Sequence, residues 1–257
     1  MSPFEQYTAF MTMATRETRR FLRIWTQTLL PPVITMVLYF VIFGSLIGSR
    51  IGQMEGFNYA DFVAPGLIMM AVITNSYSNV VSSFFGHKFQ RHIEEILVSP
   101  TPNYIILAGF VSGGMARGLL VGIFVTITSV FFTDFQIQHP LVVIVTVLLT
   151  SALFSVAGLI NAVFAKTFDD ISIVPTFVLT PLTYLGGVFY SISMLSDFWQ
   201  MLSKANPILY MVNAFRYGFL GVSDINVGAA LVMVFCFTLV LIGIALHLLK
   251  TGKNLRA

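Results

Sequence analysis

Apolar residues in this chain come in long unbroken runs rather than in short alternating ones. Six stretches approach or exceed the length of a membrane crossing: 24–47, 62–85, 104–132, 141–164, 171–190 and 227–249. A hydrocarbon layer about 30 Å thick takes about 20 helical residues at 1.5 Å each. Polar or turn-forming segments separate them at 48–61, 86–103, 133–140, 165–170 and 191–226. Runs such as Leu141-Val-Val-Ile-Val-Thr-Val-Leu-Leu149 do not alternate, so they do not read as strands of a membrane barrel. The pattern predicts an all-α polytopic membrane protein, with six transmembrane helices in one domain over 1–257. The first 23 residues lack the short apolar core and cleavage site of a secretory signal.

Three segments outside the runs carry patterns of their own. In 1–23, Phe4, Tyr7, Phe10, Met11, Ala14 and Phe21 recur at helical spacing, and Arg16, Arg19, Arg20 and Arg23 follow. That is the composition of an interfacial helix, with its apolar face in lipid and its arginines at the phosphates. The loop 87–102 is too polar to span. Its Phe89, Ile93, Ile96 and Leu97 fall on one helical face, with Lys88, Arg91, His92, Glu94 and Glu95 on the rest. Pro100 and Pro102 end it. Such an element suits docking into a partner's groove, or serves as a solvated connector. In 191–226, two short apolar pieces flank Asn206-Pro207, which predicts a re-entrant or interfacial pair. Glycines repeat every four residues at Gly109, Gly113 or Gly114, Gly118 and Gly122, and again at Gly44, Gly48, Gly52 and Gly56. Both ladders predict close helix packing.

Composition sharpens the class. The chain is 56% hydrophobic and only 10% charged. A soluble domain carries roughly 25% charge, so a water-facing globule is excluded, and intrinsic disorder with it. The single cysteine, Cys236, excludes a disulfide scaffold. With the N-terminus inside, ten of the fourteen basic residues fall on the cytoplasmic side: Arg16, Arg19, Arg20, Arg23, Lys88, Arg91, Lys166, Lys250, Lys253 and Arg256. Arg50, Lys204 and Arg216 fall outside. This bias, with six spans, predicts cytoplasmic N- and C-termini. The net charge of +3 then reflects topology, and no nucleic-acid partner is expected.

Little in the sequence reads as bond-making chemistry, and no catalytic residue is expected. No GxxxxGK[ST] loop is present to cradle a nucleotide. The four histidines, His87, His92, His139 and His247, have no metal-ligand spacing, and there is no HExxH. Asp169 and Asp170 read as carboxylates at the N-terminus of the fifth span, where free N–H groups and the helix dipole favour them over a metal. Arg117 is the one basic residue inside a span. It is expected to snorkel to the headgroups or to pair with a carboxylate on a neighbouring helix. Asp61, near the outer end of the second span, is expected to be wet. No relay of intramembrane carboxylates suggests a proton-coupled carrier.

Several segments together resemble the ABC-2 permease family, the membrane subunits of type-2 ATP-binding-cassette transporters. They are Arg20-Phe-Leu-Arg-Ile-Trp25, Pro31-Pro-Val-Ile-Thr35, Val63-Ala-Pro-Gly-Leu-Ile68 and 89–100. They continue with Phe164-Ala-Lys-Thr-Phe-Asp-Asp170, 181–190, Asn206-Pro-Ile-Leu-Tyr210 and Phe215-Arg216. The resemblance runs over essentially the whole chain.

The resemblance implies six spans in a bacterial inner membrane, two permease copies, and two cytoplasmic ATPase subunits that hold ATP and Mg²⁺, with no cofactor on this chain. It implies that 87–102 is a coupling helix docking on the ATPase through Phe89, Arg91, Ile93, Glu94, Glu95 and Leu97. It nominates a substrate path between subunits at Thr35, Asn75, Tyr77, Thr176, Thr180, Thr183 and Tyr184. It leaves structural or gating roles to Arg117, Asp170, Pro181, Pro207 and Arg216. Export driven by a separate ATPase is the expected function. A channel or secondary carrier working alone is the alternative from another class.

Overall fold

The computed structural model describes residues 1–134, 136–252 and 254–255. Lys253 and Arg256, two of the residues expected on the cytoplasmic side, lie outside the described residues. Helix α1 covers Pro3–Arg23. It starts in a capping box: Ser2 Oγ accepts the Glu5 amide, the Glu5 carboxylate accepts the Ser2 amide at 2.7 Å, and Pro3 sits where no intrahelical amide is needed. Helix α2, Trp25–Ile51, is irregular. It breaks at Leu29 and winds as a π-helix over Phe40–Ile47. A two-stranded hairpin follows, β1 Gln53–Met54 and β2 Phe57–Asn58. Gly52 and Gly56 lie at its turns with positive φ, so these two belong to the hairpin and not to a helix-packing ladder.

Helix α3, Tyr59–Phe89, is the axis of the fold. It is buried along most of its length, and it packs against α5 (Asn103–Ser129), α6 (Pro140–Phe164) and α9 (Pro207–Leu220). The short α4, His92–Val98, lies between α3 and α5. Helix α8, Asp197–Lys204, precedes α9, and α10, Val227–Thr251, closes the chain. Two small-residue contacts explain how closely the central helices approach. A Cβ on Gly158 of α6 would stand 2.6 Å from the Tyr77 carbonyl oxygen of α3. One on Gly114 of α5 would stand 2.9 Å from that of Ser76.

Among the described residues, five helices are long and apolar enough to cross a membrane: α2, α3, α5, α6 and α10. The expected span over 171–190 is shorter than its apolar run. Helix α7 covers Asp170–Leu185, sixteen residues or about 24 Å. It stops because side chains take over its last carbonyls: Asn206 Nδ2 donates to Leu182 at 2.6 Å. Beyond it, Arg216 Nη2 donates to Gly187 at 2.6 Å, where positive φ turns the chain. Asp170 does sit at the start of α7, in a capping box with Thr167. Its carboxylate accepts the Thr167 amide at 3.0 Å while Thr167 Oγ1 accepts the Asp170 amide. Asp169 makes no cap bond. Asp61 is not wet as expected: it is buried, and it accepts the Asp134 amide at 3.1 Å.

The tight contact at Gly158 yields a stability test. Gly158→Val is expected to destabilise the protein by about 1–3 kcal/mol, because backbone on α3 cannot give way. Gly243→Ala, where nothing lies within 4 Å of the added carbon, is expected to unfold no earlier than the parent. Thermal unfolding in lipid nanodiscs compares the two.

Candidate coupling surface and membrane face

Helix α1 is clamped to the bundle through a charged network. Met13 and Glu17 lie over Gly109 and Gly113 of α5, where any side chain would collide with them. Glu17 is fully buried. Its carboxylate accepts from Arg16 Nη2 at 3.2 Å, from Arg20 Nε at 3.3 Å and from the hydroxyl of Ser83 on α3. Arg20 also donates to both the carbonyl and the side-chain oxygen of Asn79, each at 2.9 Å. A buried carboxylate persists only with such partners. The apolar face of α1 is therefore divided. Phe4, Tyr7 and Met11 point outward, while Phe21 is in the core. The sequence pattern alone gives Glu17 no role. Its signal was its place between Met13 and Phe21 on one helical face.

The expected single face from Phe89 to Leu97 is broken in two. Phe89 ends α3, and the chain turns at Gln90–Arg91, where Arg91 adopts φ +63°. A left-handed non-glycine residue prevents α3 from running on into α4. Ile93 is fully buried and Ile96 and Leu97 half-buried, so these anchor α4 inward. Arg91 and Glu95 are exposed and Glu94 is half-buried. Phe89 is 61% exposed and meets Phe168, from the α6–α7 loop, at 5.0 Å between ring centroids. Phe168 also meets Phe85 edge-on. Lys88 Nζ donates to the Val163 and Ala165 carbonyls at 2.6 and 2.7 Å, which caps the C-terminus of α6 and ties the two loops together. Phe168 lies in one of the family-like segments but has no site role from sequence, although a phenylalanine in a short polar separator is the available signal. A groove of about 580 Å³ runs between α1 and α4, lined by Phe4, Thr8, Met13, Arg16, Glu95 and Ile96.

The nominated path residues divide by location. Thr35, Thr176, Thr180 and Tyr184 lie on exposed faces of α2 and α7. Asn75, Tyr77 and Thr183 are buried inside the subunit. Both outward-facing helices carry a π-helical segment, Phe40–Ile47 and Val174–Leu179. Such segments are frequent at functional sites. Between the helices lies an aromatic cluster: Phe189 packs on Phe43 at 4.7 Å, on Tyr184 at 5.8 Å and on Tyr39 at 6.0 Å.

Arg216 is almost fully buried. It donates to the Phe62 carbonyl at 3.3 Å, and its guanidinium lies 3.9 Å from the centroid of the Phe62 ring. It thereby ties α9 to α3 and to the turn after α7. Pro181 opens the last segment of α7, and Pro207 is the first residue of α9. Arg117 neither snorkels nor meets a carboxylate. It donates to Asn75 Oδ1 at 3.1 Å and to the Thr28 carbonyl at 3.3 Å.

Comparison with known proteins agrees with this architecture. A family model described as "ABC-2 type transporter" matches residues 8–220. The chain is 59% identical over 251 residues to the inner membrane transport permease YadH of Escherichia coli (strain K12), with 98% of each chain covered. It is 22% identical to nodulation protein J of Rhizobium leguminosarum bv. viciae, over 74% of each chain. A match over most of the length, joined to a near full-length relative, places this multi-pass membrane protein in the ABC-2 type transporter family as a transport permease.

Proposed function

We propose that this chain is the membrane subunit of an ATP-driven exporter, working as a pair of copies on two cytoplasmic ATPase subunits that hold ATP and Mg²⁺. The observation that carries the reading is the exposed pair Phe89 and Phe168, in contact with each other, with the charged Arg91, Glu94 and Glu95 following Phe89 closely along the chain. Two exposed aromatics beside both charge signs make a surface suited to a protein partner. Energy arriving there passes into α3 directly, since Phe89 is its last turn, and into α6 through Lys88. In this reading α7 counts as a shortened fifth crossing, followed by the α8–α9 pair on the outer side. The chain then makes six crossings with both termini in the cytoplasm of a bacterial cell. The cargo path follows the open faces of α2 and α7, where Thr35, Thr176, Thr180 and Tyr184 offer hydroxyls on an apolar wall. Asn75, Tyr77 and Thr183 support that wall from behind.

Coupling is tested by combining Phe89→Ala with Phe168→Ala. The double variant is expected to lose about tenfold in transport-coupled ATP hydrolysis in the reconstituted complex, the scale of a truncated interface hot spot. A wild-type rate would remove the docking role. A Glu94→Arg variant is expected to uncouple hydrolysis from transport by reversing the charge presented to the partner. Pairing is tested by cross-linking in a Cys236→Ala background. Thr35→Cys and Thr176→Cys should link two chains, whereas Thr183→Cys, buried within one subunit, should not. Absence of any link at the two exposed sites would argue against this interface.

A further inference from the structure

We infer that Arg117 is the latch of a hinge in α2, and so the residue that positions the outward-facing half of that helix on the fixed core. Two prolines make the hinge. A helical amide donates to the carbonyl four residues earlier, and proline has none. Pro31 and Pro32 therefore leave the carbonyls of Gln27 and Thr28 without their ordinary donors. The helix breaks there, with Leu29 between Trp25–Thr28 and Leu30–Tyr39.

Arg117 supplies the missing donor from another helix. Its Nη2 reaches the Thr28 carbonyl at 3.3 Å and Asn75 Oδ1 at 3.1 Å. Asn75 is itself fixed, because its Nδ2 donates to the Ala71 carbonyl at 3.0 Å, which turns its oxygen toward the guanidinium. Thr28 is buried, and its hydroxyl donates to the Phe21 carbonyl at 2.9 Å at the end of α1. One guanidinium thus joins α2 at its break to α3 and α5. Both oxygens that hold it are neutral, so its release strands no carboxylate on either neighbouring helix. Beyond the latch, α2 carries the exposed Ile34, Thr35 and Leu38. A shift at Thr28 swings this face.

The test uses the fact that Pro32→Ala returns an amide to Thr28 by ordinary helix geometry. Spin labels at Ser49→Cys and Ile127→Cys, in a Cys236→Ser background, report the distance between α2 and α5. The full-length permease is placed in nanodiscs, with labelled copies diluted in unlabelled ones. Arg117→Leu is expected to raise the population of displaced α2 about tenfold, the effect of losing one charge-assisted bond. Adding Pro32→Ala should return the distribution to that of the parent. A purely structural role for Arg117 would not be rescued by a proline change on another helix. An unchanged distribution in Arg117→Leu, or a double variant as broad as the single, would overturn the latch. If Arg117→Leu fails to fold, Arg117→Lys with and without Pro32→Ala is read by the same criteria. The distance is measured on the permease alone, so failure of the ATP-driven reading leaves the result interpretable.

Discussion

Hydrocarbon offers no hydrogen bonds, so every backbone carbonyl that a proline frees inside a membrane must find a donor within the protein. Much of this structure answers that constraint. Pro32 frees the Thr28 carbonyl, and Arg117 takes it. Pro175 frees that of Ile171, and Asn161 Nδ2 comes within 3.5 Å. Where α7 ends early, Asn206 and Arg216 serve its last carbonyls and those of the turn beyond. Each donor comes from a neighbouring helix, so each irregularity in one helix becomes a tie to another. The polar residues scattered through these apolar segments are spent largely on backbone.

The ties divide the molecule into a firm part and a loose one. Helices α3, α5, α6 and α9 bury their contacts, and glycines at 114, 118 and 158 let backbone meet backbone. Helices α2, α7 and α10 turn most of their surface outward. Both π-helical segments and four of the prolines, Pro31, Pro32, Pro175 and Pro181, fall on α2 and α7, while α3 carries Pro65 alone. Helices that must change position tolerate fewer buried contacts and more internal breaks than helices that must not. The arrangement suits a permease in which a rigid core carries motion from one end to flexible walls.

The long apolar runs specified the number and place of most helices, because membrane crossing depends on a sum over twenty residues and survives local error. Boundaries fixed by single contacts were not legible. Helix α7 stops at Leu185 although the apolar run continues to Tyr190, since the stop depends on Asn206 and Arg216, residues more than twenty positions away. The face from Phe89 to Leu97 looked continuous by periodicity, but Arg91 adopts a left-handed conformation that no pattern announces. Asp61 reads as solvated for the same reason, since its partner Asp134 is supplied by tertiary structure. The burial of Glu17 likewise depends on Ser83 from α3.

The two buried arginines show why composition alone misleads in such a protein. A charge inside a span is usually read as a sign of ion or proton handling. Arg216 has carbonyls and an aromatic face, and Arg117 has a carbonyl and an amide oxygen. Among the described residues neither has an acid within bonding distance, so neither belongs to a carboxylate relay. A guanidinium cannot give up its proton under ordinary conditions, which makes it a poor carrier and a dependable donor. In both places it is used as a donor to backbone at a discontinuity: at the break in α2, and at the turn after α7. The fixed charge therefore lies where the chain departs from regular helix, next to α2 and α7, two of the helices whose faces remain open.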